Sequence, residues 1–397
     1  MSVVFQEGVL SDIARVTMGQ SPKKEFVSST QEGLPLLNGP TEFGSSHPTP
    51  VQWSTSFSKT AEPGDILFCV RGSTTGRMNW ADQQYAIGRG IASISAINPQ
   101  ERHFVRAAID LVLPELLAAA TGSTFPNVSR LQLSELPVAL PSAAVRTEIS
   151  GLLGALDDKI ESNLRVRNLC RDLGGNLVAD TVRSAPSTQL EHYAASISRG
   201  VTPRYYKDED ASPVLVLNQK CIRDGWVTPE LARLMIPRSR EKSQAIARLD
   251  DLLVNSTGQG TLGRVARWDS DDPIYVDSHV TVVKADPRRI YPVLMPYLVF
   301  PLQDEIEHMA TGSTGQTELS PSRLAQLNVP LLSLEEQRPL SARLVALEAQ
   351  AHYCQVQSLK LTELRDALLP ELMSGRMRVD KAGCLVSEAL DEEVADV

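Results

Sequence analysis

Two spacings of apolar residues alternate along the chain. Short β-rich runs come first, at residues 51–53, 66–70, 86–87 and 91–97, each bounded by Gly, Pro, Asn or Ser. They predict strands joined by turns. Residues 106–120 then predict a helix. From Val145 the step changes, with apolar positions at Val145, Ile149, Leu152, Leu156 and Ile160. The series then repeats. Residues 252–254, 274–276 and 280–283 predict strands, and 291–309 predict a helix with a ragged start at Pro292 and Pro296. A second stripe follows at Leu340, Leu344, Leu347, Ala351 and Cys354, extended by Leu361 and Leu368. Both stripes are narrow a/d seams of coiled-coil type. Pro141 and Pro330 stand just before the two long helices, where a missing N–H does little harm. Pro186 follows the first, and Pro370 closes the second. Each predicted helix is about 38 residues, or ~55 Å at 1.5 Å per residue. A lone helix with so thin a stripe needs a partner, and the nearest one is the other copy.

The repetition extends to letters. Leu10, Ala14, Gly19 and Pro22 fall in step with Leu190, Ala194, Gly200 and Pro203. Pro35-Leu36-Leu37-Asn38 is echoed by Val214-Leu215-Val216-Leu217-Asn218, and Gly64-Asp65-Ile66-Leu67 by Asp250-Asp251-Leu252-Leu253. Gly76-Arg77 matches Gly263-Arg264, Thr121-Gly122-Ser123-Thr124 matches Thr311-Gly312-Ser313-Thr314, and Leu136-Pro137-Val138-Ala139-Leu140 matches Leu327-Asn328-Val329-Pro330-Leu331. The order never breaks and the offset drifts by only about ten residues, which means a duplicated module. The expected fold class is α/β (α+β): two duplicated mixed blocks separated by two long helices packed as an antiparallel coiled coil. The expected boundaries are 1–141 for the first block, 142–185 for the first spacer helix, 186–332 for the second block, 333–375 for the second spacer helix and 376–397 for an acidic tail.

Composition narrows the setting. A chain of 397 residues exceeds one ordinary core. No window approaches the ~18 apolar residues of a spanning helix. The first ten residues carry Glu7 and no basic start, so no signal peptide is expected. Five scattered cysteines without a Cys-x-x-Cys pair point to a reducing cytoplasm, with neither a disulfide frame nor a zinc site. The net charge of -9 does not advertise a nucleic-acid binder, but the largest share of the excess sits in residues 333–397 and their acidic end. The two blocks are near neutral, and a local patch is what phosphate contacts require.

Candidate chemistry is sparse. Gly258-Gln259-Gly260-Thr261-Leu262-Gly263 is a literal G-x-G-x-x-G after a predicted strand. A dinucleotide-binding turn must open a helix, whereas Asp-Ser-Asp-Asp-Pro and another strand come next here, so a hairpin loop is expected. The six histidines make no metal spacing, and neither a G-x-S-x-G elbow nor a Walker loop is present. Asn38-Gly39-Pro40-Thr41 begins like the catalytic loop of an amino-methyltransferase, but its prolines and aromatic are out of place. The loops instead hold residue types that read base edges and phosphates. In the first block these are Gln20, Asn38, Arg71, Ser73, Thr74, Arg77, Asn79 and Arg89. In the second they are Arg199, Asn218, Lys220, Asn255, Ser256, Thr257, Gln259, Arg264 and His279. The same types also populate ordinary solvated loops, and the Thr-Gly-Ser-Thr segments can equally be turns whose hydroxyls cap the next element.

One family matches these letters. Thr121-Gly122-Ser123-Thr124-Phe125-Pro126-Asn127-Val128-Ser129, then Leu136-Pro137-Val138, then Leu156-Asp157-Asp158-Lys159-Ile160-Glu161-Ser162-Asn163 resembles the specificity subunit of type I restriction–modification systems. Leu364-Arg365-Asp366-Ala367-Leu368-Leu369-Pro370-Glu371-Leu372-Met373-Ser374-Gly375 is similar to that family's end-of-repeat pattern. The second Thr-Gly-Ser-Thr departs by continuing as Gly315-Gln316-Thr317, and Gly174-Gly175 falls where the first long helix should be firm. The resemblance implies that each block is a target-recognition domain reading one half of a split, asymmetric site in double-stranded DNA. It implies that the helices set the gap and dock two methyltransferase (modification) subunits, with motor-nuclease (restriction) subunits completing the complex. S-adenosylmethionine and ATP with Mg would then belong to the partner subunits, with no cofactor on this chain. On this expectation 121–129 is the hinge between a reading block and its helix. A fused methylase–nuclease system and a coiled-coil adaptor with two protein-binding heads are the alternatives.

Overall fold

The structure is a computed structural model describing residues 4–120, 127–206, 212–237, 243–310 and 318–395. It divides into two units. The first holds residues 1–163 and 357–397, the second 164–356. Each unit therefore pairs one sequence block with half of each long helix.

In the first unit the main sheet is antiparallel, ordered Ala14–Met18, Ile91–Ala96, Ile66–Cys69, Met78–Trp80. Ile66–Cys69 is buried at every position. Successive side chains leave a strand on opposite faces. Ile66 and Phe68 enter a core with Phe104, Val105 and Ala108 of the helix Arg102–Ala120, while Leu67 and Cys69 enter a second core with Leu37, Tyr85 and Ile87. Those last residues belong to a smaller sheet in which Leu34–Leu37 runs parallel to Tyr85–Ile87. The block closes where Gln6–Val9 pairs with Pro137–Leu140.

The second unit repeats this. Its main sheet is ordered Ala194–Arg199, Val280–Ala285, Leu252–Asn255, Val265–Arg267. Val214–Leu217 runs parallel to Ile274–Val276, and Ser187–Gln189 closes on Asn328–Pro330. Leu252 and Val254 face one core and Leu253 the other. The predicted strands thus stand where the pattern put them, except that the one expected at 51–53 is instead Trp53–Ser54. The predicted helix at 291–309 is instead two short helices, Leu294–Val299 and Gln303–His308, joined by the 3-10 turn Phe300–Leu302. Pro296 and Pro301 each remove an N–H that a continuous helix would use.

The long helices run Ala143–Val182 and Leu334–Met373. In the first unit Asp157 meets Arg365 and Asn163 meets Gln357; in the second, Arg171 meets Glu348. Positions rise on one helix as they fall on the other in the first unit, where the pairing is antiparallel. Ile149, Leu153 and Leu156 are buried on the first helix, while Leu152 is half-buried, which moves the stripe by one residue from its expected path. On the second helix Leu340, Leu344, Ala351, Cys354, Leu361 and Leu368 are buried. Pro370 does not end that helix. It sits in the last turn, where its missing N–H costs one hydrogen bond at the helix end without stopping the helix, and Gly375 at φ +72° terminates the chain of hydrogen bonds. The expected acidic tail is helical over Val379–Ala395, with Ala382 buried against Leu368 and Leu372 in the first unit's core.

Candidate nucleic-acid interface

In each block some of the candidate residues gather at the turns that join the two sheets. In the first, Gly19 N donates to Ile91 O, Gln20 N to Ile87 O and Gly88 N to Leu37 O, at 2.8–2.9 Å. These bonds bring residues 19–21, 38 and 88–90 together. A Cβ on Gly19 would lie 2.2 Å from Gly88 O, so glycine is needed there for the backbones to approach, whereas one on Gly88 would lie 2.3 Å from Asn38 Oδ1, so a larger residue there requires that side chain to turn away. Around them a polar chain forms. Arg89 N donates to Ser21 Oγ (3.2 Å), Ser21 Oγ to Asn38 Oδ1 (3.4 Å), and Asn38 Nδ2 to Gln52 Oε1 (3.3 Å). Ser58 Oγ donates to Gln20 Oε1 at 3.0 Å. Gln20, Asn38, Gln52 and Arg89 are all exposed. Ser21, Gln52 and Ser58 carry no sequence signal of their own; only folding brings them to Asn38 and Gln20.

Other candidates in this block hold structure. Asn79 is buried, with Nδ2 donating to Gly44 O. Arg77 donates to Pro40 O and Phe43 O and lies over the Phe43 ring. Thr74 lies 3.6 Å from Cys69 Sγ. Arg71 and Ser73 are exposed on the turn after Ile66–Cys69, where Arg71 bridges Asn127.

The second block builds the equivalent turn from the same backbone bonds. Gly200 N reaches Val280 O, Val201 N reaches Val276 O, and Asp277 N reaches Leu217 O. Its side chains differ. Asp277 stands where the first block has Gly88, and its carboxyl is buried, which pushes its pKa up even though Oδ1 accepts from His279 N. His279 is exposed, with Nδ1 2.7 Å from Thr257 Oγ1. Arg199 pairs with Glu318 and donates to Leu319 O. Lys220 and Gln259 are exposed. Asn218 is buried: Nδ2 donates to Leu231 O, and Oδ1 caps the next turn at Lys220 N. Asn255 and Ser256 are fully buried, the first donating to Gln219 O and Thr261 O, the second meeting Thr281. Their hydrogen bonds shape the loop rather than face a ligand. Arg264 donates to Gly260 O inside that loop. The loop joins the antiparallel strands Leu252–Asn255 and Val265–Arg267, as a hairpin would, and opens no helix.

The Thr-Gly-Ser-Thr segments at 121–126 and 311–317 lie outside the described residues. Each leads into a short capped helix. Ser129 caps the helix Arg130–Ser134 in a reciprocal box with Gln132, and Ser320 caps Pro321–Ala325.

Each unit also ties its block to its helices through a carboxylate, half-buried in the first unit and buried in the second. In the first, Asp157 takes hydrogen bonds from His103 (3.3 Å) and Arg365 (2.9 Å). Burial works against its charge, yet those partners hold the carboxyl below the usual range. In the second, Glu348 accepts from Tyr297 (2.6 Å) and Arg267 (2.8 Å), with Arg171 at 3.3 Å. Trp226 carries Arg167 and Arg171 on its ring, and burial pulls Arg167 down to about 10.

Two α/β modules of one topology, each built onto paired long helices, make a duplicated architecture with no metal-ligating cluster among the described residues. Residues 3–168 match the type I restriction modification DNA specificity domain. That match takes in the first block and the start of the first long helix, less than half of the chain. Over 148 residues the chain is 31% identical to the putative type I restriction enzyme MjaX specificity subunit of Methanocaldococcus jannaschii, a match covering 37% of this chain and 35% of that protein. The fold is similar to the type I restriction–modification system S subunit from M. genitalium, with TM-score 0.58 and 16% identity over 93% of this chain and 96% of that one. Among the described residues no helix is long and apolar enough to cross a membrane.

Proposed function

We propose that this chain is the DNA sequence-reading subunit of a type I restriction–modification complex. Each block engages one half of a bipartite, asymmetric site. The observation that carries this reading is the repeated turn: one backbone framework presents exposed amides and Arg89 in the first block, and Thr257 and His279 in the second. Phosphate contacts position a protein on DNA, while differing side chains at an equivalent place specify sequence. Two unlike readers in one chain imply two unlike half-sites.

The long helices set the gap between half-sites and dock two methyltransferase subunits. Those subunits carry S-adenosylmethionine, and motor-nuclease subunits using ATP and Mg join them. This chain supplies no catalytic group. The complex acts in the cytoplasm, where its DNA target lies. The test is selection of bound duplexes from a randomised pool by the complex purified with its partner subunits. A split motif with an unspecified centre is expected. Sequence-independent capture would favour an adaptor with two protein-binding heads instead.

A further inference from the structure

The polar chain at the first block's turn has a direction. Ser21 donates to the Asn38 oxygen, Asn38 donates to the Gln52 oxygen, and Ser58 donates to the Gln20 oxygen. The acceptor ends of all three amides are thus occupied inside the protein. Among the described residues nothing accepts from Nε2 of Gln20, from Nε2 of Gln52 or from the guanidinium of Arg89, and all three side chains are exposed. The face so formed offers hydrogen-bond donors. Arg89 sits at its tip, its backbone N pinned by Ser21 and its neighbours Gly88 and Gly90 packed on Asn38. A Cβ on Gly90 would lie 2.3 Å from Asn38 O, so the turn has one seating.

The guanidinium of Arg89 has donors only, and such a group selects an acceptor-only edge. In the major groove guanine presents two adjacent acceptors, N7 and O6, which a guanidinium meets with two parallel bonds; adenine pairs its acceptor with a donor, and cytosine offers a donor. The equivalent turn of the second block lacks this face, because Asn218 is turned inward and Asp277 replaces Gly88. We propose that Arg89 is a specificity-determining residue that reads a guanine in the half-site engaged by residues 1–141, with Gln20 and Gln52 as flanking donors. This rests on the reading of that block as a DNA-recognition domain.

The test compares wild type, Arg89→Gln and Arg89→Lys in the complex with its partner subunits, by selection from randomised duplexes. Wild type should require guanine at one position of one half-site. Both variants should lose preference there by roughly 10- to 100-fold, the loss of one bidentate pair, while every other position keeps its base. The Lys variant keeps the charge but not the fork, so it separates base reading from phosphate contact. Undiminished guanine preference in both variants overturns the proposal, as does a uniform loss of affinity with the motif unchanged, which marks a phosphate contact. Equal melting of the variants and wild type excludes misfolding, and Arg89 is exposed enough for that to be expected. A wild-type complex with no sequence preference overturns the reading of the block itself.

Discussion

A single absent methyl group decides how Tyr297 meets the first long helix. A Cβ on Gly174 would lie 2.6 Å from the Tyr297 ring, whereas one on Gly175 would have nothing within 4 Å. The sequence placed both glycines in a helix and marked them alike as a soft point; only tertiary contact separates them. Gly174→Ala should therefore destabilise the second unit by about 1–3 kcal/mol through overpacking. Gly175→Ala should stabilise it by up to about 1 kcal/mol through helix propensity. Urea unfolding of the two variants checks this, and equal shifts of one sign would contradict it. Asp157 makes a prediction against pH. Its folded pKa lies below the ordinary value, so its stabilising contribution is present above the unfolded pKa of about 3.9 and fades as pH falls through the folded pKa. Asp157→Asn should cost the first unit about 1–2 kcal/mol at neutral pH, and its loss of stability below pH ~4 should be shallower. Parallel pH profiles for the two proteins would refute the role.

At the scale of elements, what was legible in the sequence was periodicity. Runs such as Ile66–Cys69 and Val280–Ala285 announce buried strands, and the stripe from Ile149 onward announces a paired helix. Less legible was anything set by distant partners. Asn79, Asn255 and Ser256 read as loop residues suited to a ligand, yet burial turns them to backbone carbonyls and a neighbouring hydroxyl. Ser21 and Gln52 were invisible because only folding brings them to Asn38. The last helix was hidden by its acidic composition, although Ala382 belongs to the first unit's core and Leu385 and Val386, partly buried, pack against it. Truncation after Gly375 uncovers that core. Hydrogen exchange should then quicken in the sheet Ala14–Met18, Ile91–Ala96, Ile66–Cys69 and leave Leu252–Asn255 unchanged. Protection that stayed equal in both sheets would show the helix to be dispensable.

For the whole molecule, duplication with divergence is the central fact. Backbone bonds at Gly19 and Gly200, and at Gly88 and Asp277, recur while the side chains around them differ. A reader built this way should be modular. Inserting one helical turn beside Ser184 should widen the gap between half-sites and leave the bases of both unchanged, as duplex selection would reveal; an altered half-site would break that division of labour. The most direct test of the account maps modified adenines across the genome in three strains: wild type, one lacking this gene, and one with residues 1–141 exchanged for the corresponding block of another specificity subunit. The account predicts a split motif that vanishes on deletion and changes in one half only on exchange. A methylome indifferent to the deletion, or an exchange that alters both halves, would contradict it.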